Sequence, residues 1–549
     1  MTGRVADAVA LTLRALGVRE VFGVIGSGNF AVTNALVAAG AGFHAARHET
    51  AAVTMADAWA RVTGEVGVAT VHQGPGLTNA VTGLSEAAKS RTPLLVLAAD
   101  TGAGAERSNF AVDQAGLAAA IGAAHVRLAS PATAVAAITS AHRLARDERR
   151  SVLVSMPLDV QAAALDAPEP PTSGPALHPP APSVAAIDAV VDALAAAERP
   201  VVIAGRGARI SGAGPVLRRL GERTGALLAT SAVAHGLFVG DPWALGISGG
   251  FASPTAAELI TGSDLVLAVG ASLTMWTTRH GRLVGPDATV VQVDREVGAI
   301  GSQHRVDLAV VGDAAATAEA LLAALDRRGH RAAGWRTDDT AARLATGSWR
   351  DEPYDDASDE RTIDPRTLSI ALDEILPDER AVVVDSGHFM GWPPMYWRVP
   401  DDDGFVFTQA FQSIGLGLAT AIGAAVARPD RLTVAALGDG VALMAASELE
   451  TVPRLGLDLC VVVYDDAAYG AEVHHFGPHG DDLTNVVFGE TDFAATARAL
   501  GYDAVTVRSS DDLGAVAEVI AARRRPVLVD AKVTPTVVAE WLEEAFRGH

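Results

Sequence analysis

Short apolar segments alternate with Ala-rich segments of helical periodicity along most of the chain, and this alternation constrains the fold more than any other feature. In the first third the strand-like segments are EVFGVIG, GFHAARH, VGVATVHQG, TPLLVLAAD and SVLVSMP. Strands separated by helices pair in parallel, and strands that are apolar throughout are buried on both faces. The pattern therefore predicts an α/β fold with helices on both faces of a parallel sheet.

The alternation recurs in three blocks, and a chain of 549 residues is too long for one hydrophobic core. We expect an N-terminal domain over residues 1–165, a central domain over 184–328 and a C-terminal domain over 360–549. The segment DAPEPPTSGPALHPPAPS, from Asp166 to Ser183, is rich in proline and is predicted to be a linker. The fold class is thus α/β, with three doubly wound parallel-sheet domains.

Composition excludes several classes of protein. The formal net charge is -22, which argues against general binding to nucleic acid or to an anionic membrane. No apolar stretch reaches the roughly 18–20 residues of a membrane span. The N-terminal segment MTGRVADAVALTLRALGVRE is amphipathic and unlike a secretory signal, so we expect a cytoplasmic protein. The single cysteine, Cys460, excludes an intrachain disulfide and is expected to be a buried hydrophobe.

Aspartates follow two apolar segments of the third block, in LTVAALGDG and CVVVYDDAAYG. Ligands of doubly wound sheets bind at the carboxyl ends of the strands. The intervening residues suffice for one helix and a return strand, which would bring Asp439 and Asp466 together. Two such oxygens and a backbone carbonyl suit Mg²⁺ or Ca²⁺ shared with phosphate oxygens, although both aspartates could simply be solvated turn residues. The expected single helix after Asp439 has an apolar face formed by Leu443, Ala446, Leu449 and Val452.

A GDG turn followed at this spacing by a paired Asn/Asp site resembles the signature of thiamine-diphosphate enzymes. The three-block plan is similar to that of acetolactate synthase, benzoylformate decarboxylase and pyruvate decarboxylase over essentially the whole chain. The resemblance implies that Asp439 and Asp466 bind Mg²⁺ through their side chains and Ala468 through its carbonyl. The family usually has Asn where Asp465 stands, so this extra charge would weaken diphosphate binding unless a neighbouring group neutralises it.

The resemblance further implies pyrimidine-binding, middle and diphosphate-binding domains and a set of cofactor-binding residues. Ile414 matches the bulky residue that props the cofactor into a bent conformation. The other cofactor-binding positions are Gly74, Pro75, Asn79, Gly387, His388, Ser413, Gly440, Val441, Tyr469 and Gly470.

Glu49 begins an amphipathic helix directly after the segment GFHAARH. Taken alone it is an ordinary first-turn carboxylate, favoured there by the helix dipole. It matches the family glutamate that hydrogen-bonds the aminopyrimidine ring. In the family this glutamate and the GDG turn of one site come from different chains, which implies a homodimer or homotetramer with active sites between chains.

Besides Glu49, three positions could be catalytic. His72 and Ser27 stand where benzoylformate decarboxylase has a histidine and a serine, and Glu472 matches a catalytic glutamate of pyruvate decarboxylase. Each could instead be structural. Gly28, Phe110 and His475, with Glu472, are predicted to line the substrate pocket.

Several positions depart from the best-known members. Acetolactate synthases usually have Gln where Phe110 stands and Trp where His475 stands, and their acceptor-binding arginine has no clear match. FAD, ADP or CoA in the middle domain is compatible with the turn GRGARISGAG, which is a weak signal.

The resemblance thus implies a thiamine-diphosphate- and Mg²⁺-dependent enzyme that decarboxylates or ligates 2-oxo acids and aldehydes, similar to acetolactate synthase. A 2-hydroxyacyl-CoA lyase is the alternative, with Arg206 and Arg209 as candidate nucleotide ligands. A catalytically silent regulatory relative is the third possibility, against which Glu49, Asp439 and Asp466 speak.

Overall fold

A computed structural model of the protein describes residues 2–105, 107–166, 174, 175, 177, 179–332 and 334–547. It confirms the predicted fold class, because the chain forms three parallel sheets of six strands, each flanked by helices. Among the described residues, no helix is long and apolar enough to cross a membrane.

The N-terminal sheet has its strands in the spatial order Gly42–Ala45, Glu20–Gly23, Gly67–Val71, Leu94–Asp100, Ser151–Pro157 and Ala124–Arg127. Its helices are Val5–Ala15, Phe30–Ala38, Glu49–Thr63, Pro75–Asn79, Val81–Lys89, Gln114–Ala120, Ala134–Glu148 and Leu158–Ala162. A separate antiparallel pair joins Thr2–Arg4 to Ala164–Asp166 and brings the ends of this region together.

The central sheet runs in the order Ala244–Ile247, Leu227–Thr230, Pro200–Ala204, Leu265–Val269, Thr289–Asp294 and Leu308–Val311. The helices here are Val184–Ala196, Arg206–Ile210, Gly214–Thr224, Pro254–Thr261, Met275–Thr278 and Ala314–Arg327, with Asp338–Ala345 following.

The C-terminal sheet runs in the order Phe405–Phe407, Arg380–Val384, Leu432–Gly438, Leu459–Asp465, Val527–Lys532 and Asp503–Val507. Its α-helices are Pro365–Ile375, Trp392–Tyr396, Gly417–Ala427, Asp439–Met444, Thr451–Leu455, Gly470–Phe476, Phe493–Leu500, Leu513–Ala522 and Trp541–Ala545. Short 3₁₀ helices cover Pro131–Thr133, Ala232–Ala234, Val297–Ala299, His388–Gly391, Ala446–Leu449, Gly477–His479 and Ser510–Asp512.

The N- and C-terminal sheets share one hydrophobic core through the helices Glu49–Thr63 and Gly417–Ala427. These helices approach so closely that a Cβ at Gly423 would stand 2.2 Å from the carbonyl oxygen of Met55. Arg61 reinforces the contact by donating to the carbonyl of Phe407 at 3.1 Å. The helix that starts at Glu49 is therefore fixed against the C-terminal domain of its own chain.

Three local predictions need correction or limitation. The expected helix after Asp439 is broken into Asp439–Met444, Ala446–Leu449 and Thr451–Leu455. Its supposed apolar face is split as well, since Leu443 is 54% exposed whereas Leu449 and Val452 are buried. The strand Ala124–Arg127 was not predicted, because an edge strand that is half exposed lacks a continuous apolar run. Of the predicted linker, residues 167–173, 176 and 178 lie outside the described residues.

Candidate active site

The GDG turn lies at the carboxyl ends of two central strands of the C-terminal sheet. Gly438 pairs with Tyr464 in the parallel ladder between Leu432–Gly438 and Leu459–Asp465. The two strands end at nearly the same level of the sheet, so Asp439 and Asp466 lie at the same edge. The crossover connection between the strands thus produces the juxtaposition that the spacing predicts.

Asp439 is buried, and its electrostatic environment is unfavourable without a cation. Burial, together with the carboxylates of Asp466 and Asp465, raises the pKa of Asp439 to about 8. Two hard oxygen donors held close together in this way fit a divalent cation, which would relieve their repulsion. Among the described residues there is no cluster of three or more His, Cys, Asp or Glu side chains arranged for a metal. A site here would therefore combine the two carboxylates with a backbone carbonyl such as that of Ala468.

Asp465 does not point toward the cavity, although it is adjacent to Asp466. Its carboxylate is buried, and Oδ2 accepts a hydrogen bond from Nζ of Lys532 at 2.6 Å. Lys532 also lies 2.8 Å from Oδ1 of Asp530, and both carboxylates hold its pKa above the usual value despite burial. The extra charge at position 465 thus has a neutralising neighbour, supplied by the end of the next strand.

The backbone of the loop after Asp466 is held on both sides. Oδ1 of Asp465 accepts from the N–H of Ala467 at 3.0 Å, and Ala467 adopts a left-handed φ of 54°. The N–H of Phe488 donates to the Ala467 carbonyl at 2.7 Å, and the N–H of Tyr469 donates to Val486 at 2.8 Å. These bonds fix the direction of the Ala468 carbonyl.

Glycine is required where this loop meets the turn. A Cβ on Gly470 would lie 2.3 Å from Oδ2 of Asp466, and one on Gly440 would lie 2.6 Å from the Tyr469 ring. A side chain at either position would displace groups that are predicted to bind the metal and the diphosphate. The two glycines therefore keep the backbone within reach of a ligand.

His388 joins the metal edge to the C-terminal segment. Its Nε2 accepts from the N–H of Ala539 at 3.0 Å, so in the neutral ring the proton is on Nδ1, which lies 3.8 Å from Oδ2 of Asp466. Trp541 donates its indole N–H to the His388 carbonyl at 3.2 Å. The C-terminal segment thereby packs directly behind a predicted metal ligand.

The loop that presents Ile414 is anchored by Asp385. This buried carboxylate accepts from the N–H groups of Gly415 at 3.1 Å and Gly417 at 2.6 Å. Burial raises the pKa of Asp385 to about 6 although these donors oppose the shift. Ile414 itself is 38% exposed and faces a large cavity rather than the core.

This cavity, of about 2140 Å³, lies between the domains and collects most of the C-terminal residues predicted for the site. Glu472 is among them, half-buried and one helical turn beyond the metal loop. The other predicted residues on its wall are Gly387, His388, Ile414, Asp439, Gly440, Val441, Asp466, Ala468, Tyr469 and Gly470. Ser413 adjoins Ile414 but does not line the cavity.

The predicted residues of the N-terminal domain form a second group, and none of them lines this cavity. Asn79 donates to Oε2 of Glu49 at 3.0 Å. A Cβ on Gly76 would lie 2.9 Å from Cβ of His72 and 3.4 Å from Oε1 of Glu49. Gly74, before Pro75, has φ 61° and packs against the backbone of Phe110. One chain therefore holds the two halves of the predicted site on separate surfaces.

His72 is oriented within this second group. The N–H of Gly28 donates to its Nδ1 at 3.0 Å, so the neutral ring carries its proton on Nε2. The Phe110 ring contacts the imidazole edge to face at 5.2 Å. Ser27, by contrast, is exposed.

The two histidines after Glu472 have different surroundings. His475 stacks on Phe546, with ring centroids 3.9 Å apart, and does not itself line the cavity. His474 lies against His388, with centroids 4.3 Å apart, and burial lowers its pKa to about 4. His475 is thus placed behind the cavity wall, which Phe546 lines.

Three arginines, Arg149, Arg206 and Arg295, form a basic wall at the central-domain end of the cavity. None of the three guanidinium groups pairs with a carboxylate or donates a hydrogen bond among the described residues. Burial, together with the cations Arg61 and Arg149, lowers the pKa of Arg206 to about 9. Arg209 lies elsewhere, bonded to the loop at Asp402 and Asp403.

Sequence reasoning missed Lys532, Glu448 and two members of the basic wall. That Lys532 has a carboxylate partner could have been predicted, because this lysine ends the apolar run PVLVDAK and a buried cation requires such a partner. Arg149 and Arg295 have no such signal, because they come from different domains and meet only in the folded chain.

Comparison with known proteins gives matches along the whole chain. Residues 3–120, 187–321 and 385–531 match the N-terminal TPP binding domain, the central domain and the C-terminal TPP binding domain of thiamine pyrophosphate enzymes. The chain is 28% identical to a probable acetolactate synthase large subunit of Methanocaldococcus jannaschii, over 96% of this chain and 92% of that protein. It is 30% identical to the acetolactate synthase large subunit of Parasynechococcus marenigrum, over 96% and 87%. It is 28% identical to the sulfoacetaldehyde acetyltransferase of Castellaniella defragrans, over 93% and 89%.

Proposed function

Since the chain belongs to the thiamine pyrophosphate enzymes, of the type of acetolactate synthase and sulfoacetaldehyde acetyltransferase, we propose that it is a Mg²⁺-dependent 2-oxo acid decarboxylase and carboligase. The observation that carries the proposal is the pair Asp439 and Asp466, crowded at one strand edge beside a glycine-lined cavity. Thiamine diphosphate, when bound, supplies the carbon nucleophile for a 2-oxo acid. The chain supplies binding, orientation and proton transfer.

Asp439, Asp466 and the Ala468 carbonyl would hold Mg²⁺, which in turn holds the diphosphate. Ile414 would support the bend of the cofactor from the opposite wall of the cavity. Lys532 pairs with Asp465 and also with Asp530, so it offsets part of the charge of Asp465 and makes an aspartate at this position compatible with a diphosphate site. The carboxylates and Lys532 support the proposal because together they set a local balance of charge that favours one cation and one polyanion, whereas Ile414 supports it through its position on the cavity wall.

The catalytic unit in this proposal contains two copies of the chain. Glu49, Asn79 and His72 lie together but away from the cavity that contains Asp439. Each surface also exposes large apolar side chains. They are Ile25, Phe30 and Phe110 on the N-terminal domain, and Phe411, Leu443, Met444, Tyr469, Val487 and Phe488 on the C-terminal domain. A second copy would bury these surfaces and bring Glu49 to the pyrimidine end of the cofactor.

Proton transfers in this proposal use Glu49, His72 and Glu472. Glu49 would share a proton with the aminopyrimidine ring. His72 has its Nε2–H available as a donor because Gly28 occupies Nδ1. Glu472, at the cavity wall, would give or take the proton at the reacting carbon after carbon dioxide leaves.

An anionic ligand at the basic wall is a further part of the proposal. Arg149, Arg206 and Arg295 without carboxylate partners, in a protein of net charge -22, suit the phosphates of FAD, ADP or CoA. A 2-hydroxyacyl-CoA lyase has less support than the carboligase, since the relatives compared above are named as acetolactate synthases and an acetyltransferase.

The test begins with the purified protein, thiamine diphosphate and Mg²⁺. Thermal shift should show stabilisation only when both are present, and calcium or EDTA controls identify the cation effect. Release of CO₂ from a panel of 2-oxo acids, with and without an aldehyde acceptor, should then separate decarboxylation from carboligation. No Mg²⁺-dependent stabilisation by the cofactor would refute the proposal.

A further inference from the structure

Glu448 makes an unusual contact between the two halves of the predicted site. It lies in the 3₁₀ helix Ala446–Leu449, shortly after the GDG turn, and is 1% exposed. Its Oε1 accepts from the backbone N–H groups of Arg47 at 2.8 Å and His48 at 2.9 Å. These are the two residues directly before Glu49.

The same carboxylate is fixed on its other side. Oε2 accepts from the hydroxyl of buried Thr451 at 2.7 Å, so neither oxygen is free to turn away. A buried carboxylate that receives three hydrogen bonds is held in one orientation. Glu448 therefore acts as a rigid acceptor for the backbone before Glu49.

A surface layer covers this contact. Nε of Arg47 lies 2.8 Å from Oε2 of Glu450, and Arg454 donates to the Ala45 carbonyl at 2.6 Å. The Arg47–Glu450 pair is partly exposed and contributes little. The helix of Glu49 is capped by Nδ1 of His48, which accepts from the N–H of Thr50 at 3.2 Å. The bonds to Glu448 fix the backbone that carries this cap.

We propose that Glu448 is a positioning residue for Glu49. It is not placed to touch the cofactor, and it acts by fixing the backbone of residues 47 and 48, which sets the direction of the Glu49 carboxylate. A catalytic group displaced by about 1 Å can lose roughly 100-fold in rate. The inference rests on the proposed role of Glu49 with thiamine diphosphate.

The first test needs no cofactor. Amide hydrogen–deuterium exchange of the apoprotein should show protected N–H groups at Arg47 and His48 in the wild type and in Glu450→Gln, which removes the surface ion pairs of Glu450 with Arg47 and Arg454. Glu448→Ala should expose both amides. Glu448→Gln, which keeps one carbonyl oxygen as acceptor, should restore their protection. Equal protection of the two amides in Glu448→Ala would overturn the proposal.

The second test uses the protein loaded with thiamine diphosphate and Mg²⁺ and measures exchange of the cofactor C2 proton. Glu448→Ala should slow this exchange by roughly 10- to 100-fold, while Mg²⁺-dependent cofactor affinity stays close to wild type. Glu448→Gln should recover most of the rate. Adding Glu448→Ala to Glu49→Gln should slow C2 proton exchange little further. If the two substitutions slow the exchange independently in the double variant, the proposal is overturned. Failure of the wild type to bind the cofactor would instead refute the proposed function and leave the amide test standing.

Discussion

Lys532 lies 2.6 Å from Oδ2 of Asp465, and both side chains are buried beside the predicted metal loop. The lysine ends one strand of the C-terminal sheet and the aspartate ends its neighbour, in direct register. Because Asp465 also accepts from the N–H of Ala467, the pair links charge balance to the shape of the loop that carries Asp466 and Ala468.

Replacing Lys532 should leave the buried carboxylate of Asp465 without a cationic partner. We expect Lys532→Met to weaken Mg²⁺-dependent binding of thiamine diphosphate and to lower the melting temperature, because the buried carboxylates of Asp465 and Asp530 both lose their cationic partner. Combining Lys532→Met with Asp465→Asn and Asp530→Asn should recover much of both. Isothermal titration calorimetry and thermal unfolding measure the two effects, and a triple variant as weak as Lys532→Met would contradict the charge explanation.

Substitution of the metal ligands should distinguish an oxygen donor from a mere turn residue. Asp439→Ala and Asp466→Ala should each abolish Mg²⁺-dependent cofactor binding, because each removes a hard ligand. Asp466→Asn keeps an amide oxygen and should bind more tightly than Asp466→Ala. Calorimetry with Mg²⁺ and thiamine diphosphate measures whether cofactor affinity falls from the wild type to Asp466→Asn and then to Asp466→Ala. The stability of the apoproteins should not follow this order. Unchanged affinity in both alanine variants would remove these residues from the site.

Glu49→Gln should leave the cofactor bound, although more weakly, and should slow exchange of its C2 proton. If each site spans two chains, mixing inactive Glu49→Gln with inactive Asp439→Ala should restore activity. A mixed dimer then contains one site in which both residues are native. The two variants are mixed, dissociated mildly and reassembled, and the activity of the mixture is then measured. If mixed dimers form but show no activity, each site lies within one chain.

Glu472→Gln should change what becomes of the substrate rather than cofactor binding. General acid–base help is typically worth roughly 10²–10⁴-fold, so aldehyde release should slow by that order. Capture by an acceptor aldehyde needs this proton less, and the product ratio should shift toward the acyloin. Chromatography of both products measures the ratio. An unchanged rate and ratio would make Glu472 a structural residue.

His142 should make the N-terminal domain sensitive to acid. Burial, with a smaller effect of Arg146, lowers the pKa of His142 to about 4. The unfolded chain has an ordinary histidine pKa near 6.5, so its protonation favours unfolding as the pH falls from about 6.5 toward 4. His142→Gln cannot take up this proton, and its melting temperature should fall less than that of the wild type between pH 7 and pH 5. If the melting temperatures of the wild type and His142→Gln fall equally, the lowered pKa of His142 is contradicted.

The α/β class, the three parallel sheets and the strand edge at which Asp439 and Asp466 meet could all be predicted from the sequence. These follow from local rules, since apolar strand runs, intervening helices and crossover length act over a few dozen residues. Three contacts could not be predicted and became visible only in the folded chain. Asp465 turns inward to Lys532, Glu448 binds the backbone before Glu49, and Arg149, Arg206 and Arg295 lie together. Those contacts join residues far apart in the chain, and their partners are set by how sheets and domains pack rather than by any local pattern.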